Sequence, residues 1–222
     1  MLRSRQKAIY AQLPPVLHYS DHDLIDPDLA VDVLYKRMLV KLDHLLNIFF
    51  AERMLKRLYH SDVDSNNDYQ GDLLVTSFSV VTICLGFWTH RERFSAYTMR
   101  RNFEWFVVAY AAPAGGILSL ELLRPSFTGP THPKDARISR SSIVQQLSLL
   151  VGFLDWVRPS APNGDLCADC KMVIRRVLDH HLNAQAPAQW GGDALPFDWA
   201  MDNQPGFNFE LLDTFEWLRT DI

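Results

Sequence analysis

The sequence predicts an all-α protein, an irregular multi-helix bundle with long loops. Three observations carry this. Apolar residues recur at spacings of three and four over long segments, as one face of a helix requires. No apolar–polar alternation runs long enough to make a strand. Stretches rich in Pro, Gly, Asn and Asp separate the periodic segments at uneven intervals, so a simple up-down bundle is not implied.

The first long helix is expected to start at Asp26-Pro27, with Asp at the N-cap and Pro at the first helical position, and to run to about Tyr59. Leu34, Met38, Leu42, Leu45, Leu46, Phe49 and Phe50 form its apolar face. Lys36, Arg37, Lys41, Glu52, Arg53, Lys56 and Arg57 lie mostly off that stripe, and Glu52 and Lys56 form a favourable i,i+4 pair. Ser61 to Asn67 is a surface loop by composition. A second helix is expected from Asp68 or Gly71 to about His90. It is apolar nearly all round and therefore central in the fold. A third covers roughly Asn102 to Arg124, with a kink or break at Pro113-Ala114-Gly115-Gly116.

Pro125 to Arg137 is a Pro-rich loop. Ser142 to Gln145 reads as a capping box, followed by a helix with Ile143, Leu147, Leu150, Leu154 and Val157 on one face and stopped by Arg158-Pro159. After a turn at Pro162-Asn163-Gly164, Asp165 opens another helix. Its core face is Leu166, Cys170, Val173, Ile174, Val177, Leu178 and His181. Residues 185–209 are a loop-rich connection to a short last helix, Glu210 to about Arg219. The whole span of 1–222 is expected to be a single helical domain.

Composition narrows the function. The net charge of -4 lacks the basic footprint of a nucleic-acid binder. Three cysteines, an odd count, argue against a secreted disulfide framework and for a reducing compartment. Met1 to Pro15 has no apolar core of a signal peptide. The uncharged stretches Leu73 to Thr89 and Trp105 to Leu120 fall short of the ~20 residues a membrane span needs, so they read as buried core helices.

No constellation survives as a catalytic or metal site. Cys167-x-x-Cys170 lacks a second ligand pair for zinc and a βαβ context for redox chemistry. Cys170 reads as a small buried hydrophobe with Cys167 on the flank. His180 and His181 point about 100° apart on a helix and cannot easily share a metal. His44 and His60 belong to no HExxH motif, though His18, His22 and His44 could converge in space. GxSxG, GxGxxG and phosphate-loop patterns are absent. The pairs Asp21/Asp23, Asp26/Asp28 and Asp62/Asp64 sit in loop or capping positions, where solvated Asp is normal. An enzyme is therefore not expected. Arg91, Arg93, Arg100 and Arg101 read as a solvated connection, with a contact for an acidic partner as the sharper alternative. Phe87, Trp88, Trp105, Phe106 and Tyr110 read as core packing, with a lined interhelical cavity as the alternative.

Three segments, in order, carry a resemblance. They are YAAPAGGILSLELLR at Tyr110 to Arg124, SRSSIVQQLSLLVGFLDWV at Ser139 to Val157, and LCADCKMVIRRVLDHHL at Leu166 to Leu182. Together they resemble the later part of the fungal-specific transcription factor domain, the regulatory region of fungal binuclear zinc-cluster transcription factors. The closing LLDTFEWLRTDI, Leu211 to Ile222, resembles the acidic, tryptophan-containing end of such proteins, and the first long helix fits the one preceding these segments. The resemblance implies a nuclear regulatory domain, acting through protein partners of the transcription machinery or a small effector. That family's six-cysteine, two-zinc cluster has no counterpart among the three cysteines here. Zinc and DNA contact would thus belong to a separate segment, and no cofactor is implied in this one. A stand-alone helical interaction module that has lost the DNA-binding part is the alternative.

Overall fold

The computed structural model describes residues 2–59, 68–94 and 103–183, with side chains described from residue 4 and over 73–94 and 105–183, and to residue 54 in the first stretch. The chain divides into two compact units, Met1–His181 and Leu182–Ile222; almost all of the second, with residues 184–222, lies outside the described residues. So do the expected loop Ser61 to Asn67, the 185–209 connection and the last helix.

The described residues form six helices and no strand, so the all-α class is correct. They are α1 (Leu2–Ala11), α2 (Val31–Tyr59), α3 (Asp68–Thr89), a composite α4, α5 (Arg140–Trp156) and α6 (Gly164–Asn183). Helix α4 joins helical Phe103–Phe106, π-helical Val107–Ala111 and α-helical Ala112–Leu123. None of the described helices is long and apolar enough to cross a membrane.

Helix α3 is the centre, packing against α2, α4 and α5. Its hydroxyls make an all-round buried helix possible. Ser77, Ser79, Thr82 and Thr89 each donate to a carbonyl one turn back, so these four hydroxyl hydrogens are satisfied within the helix. Leu74, Val80, Val81, Cys84 and Phe87 are almost fully buried. Phe87 meets Phe106 at 4.9 Å and Phe94 at 5.2 Å between ring centroids, while Trp88 stacks on Phe153 of α5 at 6.0 Å. Burying each of the four phenylalanine rings contributes about 1.5–3 kcal/mol.

Helix α2 begins at Val31, later than Asp26-Pro27. The Asp26 carboxylate instead accepts the Asp28 amide in a local turn, and the Ala30 carbonyl accepts the first helical bonds. The buried seam is Leu34, Met38, Leu42, Leu45, Ile48 and Phe49, and it continues into Glu52, which was expected on the polar side. Spacing alone carries Glu52 inward, one turn beyond Phe49.

Pro113 does not break α4. The Ala112 amide reaches back five residues to Val107, and the helix continues to Leu123. The wider π turn makes room just where Pro113 has no N–H to give and its ring crowds the previous turn. Gly115 then lets α5 approach: a Cβ there would sit 2.8 Å from Leu150 Cδ2.

The capping box of α5 is Ser139 with Ser142, three residues ahead of the expected pair. Ser142 N donates to Ser139 Oγ at 3.1 Å and Ser139 N to Ser142 Oγ at 2.8 Å. Buried Ile143, Leu147, Leu150, Phe153 and Leu154 follow. In α6 the buried stripe is Cys167, Cys170, Ile174, Val177 and Leu178, so Cys167 lies in the core and not on its flank. Lys171 and Arg175 bridge back to Asp155 of α5 at 2.8 Å each.

Candidate functional site

The connector between α1 and α2 has little regular structure beyond two short 3-10 turns, Pro15–Leu17 and Asp21–Leu24. Two arginines hold it down. Arg37 on α2 donates from Nε to the Val16 carbonyl at 2.8 Å and pairs through Nη1 with Asp23 at 3.1 Å. Arg93, beyond the end of α3, aims its fork at four carbonyls. These are Asp23 at 3.3 Å, Leu24 at 2.6 Å, Asp26 at 2.9 Å and Leu29 at 3.1 Å. A guanidinium suits this task because its donors are fixed in a plane. Arg93 is therefore an internal clamp, which corrects its reading as part of a solvated connection. Arg91 lies 5.7 Å from the Trp88 ring centroid and donates to the Trp88 carbonyl, and Arg100 and Arg101 lie outside the described residues.

Helix α1 is anchored by Tyr10. Its ring stacks on His44 at 4.4 Å and on His18 at 5.2 Å, and its hydroxyl accepts the Tyr19 amide at 3.3 Å. The convergence of His18 and His44 is real, and it is organised around a tyrosine. His22 is exposed on the second 3-10 turn, and His60 lies outside the described residues. Burial, together with Lys41 and Lys7, pulls the His44 pKa down to about 4.

Between the connector, α2, α3 and the loop before α5 lies a half-open groove of about 370 Å³. Its walls are Tyr19, Ser20, Asp21, Lys41, Leu45, Ser79, Thr82, Ile83 and Arg137. The Lys41 ammonium stands 4.7 Å from the Tyr10 ring centroid. Burial lowers its pKa and Asp21 raises it, with burial the larger effect. Arg137 is held by Asp135 through Nε and Nη2, which lowers the Asp135 pKa, while its Nη1 lies 4.0 Å from Asp21. Burial, then Asp21 and Asp23, keeps the Tyr19 phenol protonated far above neutral pH.

The other sequence candidates lie elsewhere. Cys84, Cys167 and Cys170 are buried and form no disulfide; burial, then the Cys167 and Asp169 charges, pushes Cys170 up to about 12, which keeps it un-nucleophilic. His180 and His181 end α6. No cluster of three or more His, Cys, Asp or Glu suited to a metal ion occurs among the described residues. Phe87, Phe106 and Tyr110 are packed core, Trp88 is half-buried against Phe153, and Trp105 is 44% exposed. The groove is lined by none of these aromatics. Sequence reasoning missed Lys41, Ser79, Thr82 and Arg137 as one site.

In comparison with known proteins, no family model matches the chain, and neither a curated protein nor a solved structure resembles it significantly.

Proposed function

We propose that this chain is a non-catalytic helical regulatory module of the fungal-specific transcription factor kind, acting in the nucleus through protein partners or a small effector. The observation that supports the reading best is the fate of the three motif segments. They are consecutive helices α4, α5 and α6, with Gly115 of α4 against Leu150 of α5 and Ile174 of α6. The segments thus form one packed unit, as a shared domain signature requires. Between other helices lies a groove with room for a small molecule. The net charge of -4 fits a module that leaves DNA contact to another segment.

Fusion of the chain to a heterologous DNA-binding domain in a fungal reporter host tests this. The expected result is nuclear accumulation and reporter output that differs from the DNA-binding domain alone. Output identical to that control would refute the regulatory reading. Genomic sequence upstream of Met1 separates it from a stand-alone interaction module, since only the regulatory reading expects an encoded six-cysteine cluster there.

A further inference from the structure

The groove holds a positive charge that the protein itself leaves incompletely answered. Lys41 forms no ion pair with any described residue, and one side of its ammonium rests on the Tyr10 ring. Partial burial of a charge without an ionic partner is costly, and an anion entering from solvent relieves it. Arg137 reinforces the pull, because Asp135 occupies Nε and Nη2 and leaves Nη1 facing Asp21 at the groove wall.

The rest of the lining wants the opposite polarity. Ser79 and Thr82 spend their hydroxyl hydrogens on the Val75 and Phe78 carbonyls, so they offer only lone pairs to a ligand. Asp21 is an acceptor too, with its side chain 74% exposed. Lys41 and Arg137 are balanced in formal charge by Asp21 and Asp135. A dianion such as phosphate would leave the site with net negative charge, whereas a zwitterion leaves it neutral. The volume of about 370 Å³ is at the low end for ligand sites, and Leu45 and Ile83 supply a short apolar wall.

We propose that this groove binds a small zwitterionic carboxylate of the α-amino-acid class. Its carboxylate sits on Lys41 and Arg137, and its ammonium faces Asp21 and the lone pairs of Ser79 and Thr82. This narrows the effector half of the regulatory reading and rests on it for its purpose, yet binding is measured without any transcriptional readout. Failure in the reporter host and failure to bind are therefore separate results.

The test is isothermal titration calorimetry and thermal shift on the full chain. The probes are the standard L-amino acids taken singly, with acetate and inorganic phosphate beside them. At least one amino acid is expected to bind and raise Tm, more tightly than acetate or phosphate. Lys41→Met is expected to weaken that binding about tenfold or more, the scale of a lost charge-assisted hydrogen bond. Arg137→Gln, at a side chain 62% exposed, is expected to weaken it as well and serves as the second variant should Lys41→Met not fold. Absence of amino-acid binding, phosphate as the tightest probe, or folded variants that bind like wild type would each overturn the proposal.

Discussion

Replacing Arg93 with Met keeps the length and the apolar stem of the side chain and removes the fork. Four carbonyls then lose their donor: Asp23, Leu24, Asp26 and Leu29. Asp26 sits at an exposed bond and recovers water at little cost, and the 3.3 Å contact to Asp23 is the weakest of the set. The Leu24 contact at 2.6 Å and the Leu29 contact at 3.1 Å are partly buried and do not recover fully. At about 1–1.5 kcal/mol for each of these two, and a fraction for the rest, the loss is roughly 3 kcal/mol. For a chain of this size that is a Tm lower by roughly 6–12 °C. Arg93→Lys offers a point charge without the planar fork and should lose about half as much. Urea unfolding followed by circular dichroism measures both, with an unchanged m-value as the sign that only stability moved. Arg93→Met within about 0.5 kcal/mol of wild type, the range of ordinary surface changes, would refute the clamp.

Acidification should weaken the docking of α1. The His44 pKa is about 4 in the folded chain and near 6.5 unfolded, so the unfolded chain binds more protons between those values. Stability is then full above about pH 6.5 and is lost as pH falls toward 4. The whole shift converts to about 3 kcal/mol, which solvent screening of the half-exposed ring reduces to about 1 kcal/mol. A His44→Phe variant with the same pH slope in urea midpoints would contradict this. Gly164→Ala would put a Cβ 2.4 Å from the Pro159 carbonyl oxygen, which is backbone and cannot swing away. Against a gain of up to ~1 kcal/mol from helix propensity, a net loss of about 1–3 kcal/mol is expected in thermal unfolding. Tyr110→Phe removes the 2.5 Å hydrogen bond from the phenol to Asp43 that ties α4 to α2, and a loss of about 1–2 kcal/mol in urea unfolding is expected.

Helices α2, α3, α5 and α6 are legible in the sequence because apolar periodicity is a local signal, and burial follows it with small rotations. The misplacements have local causes that compete on nearly equal terms. Asp26 can cap a helix or close a turn with its neighbour's amide, and tertiary contacts to the connector choose the turn. Ser139, Ser141 and Ser142 are all chemically able to cap, and the pattern alone does not rank them. Pro113 signals a disturbance correctly. Whether it becomes a break or a π turn depends on packing against α3, which no helix pattern encodes.

The groove is a different kind of problem. Lys41 is read from the sequence as one more charge off the apolar stripe of α2, and Ser79 and Thr82 fall within a helix read as apolar nearly all round. Each reading is right about its own segment. The site exists because Arg37 and Arg93 pin the connector so that Tyr19, Ser20 and Asp21 meet Lys41, while the loop before α5 brings Arg137 across. One faint signal is in the sequence: the hydroxyls of Ser79 and Thr82 fall three residues apart on a helix that is apolar nearly all round, which marks a wettable strip. A strip of that kind on a central helix has to be covered by something polar. The covering elements here come from sequence positions far removed on both sides, which is why the chemistry of the groove emerges only when the fold is complete.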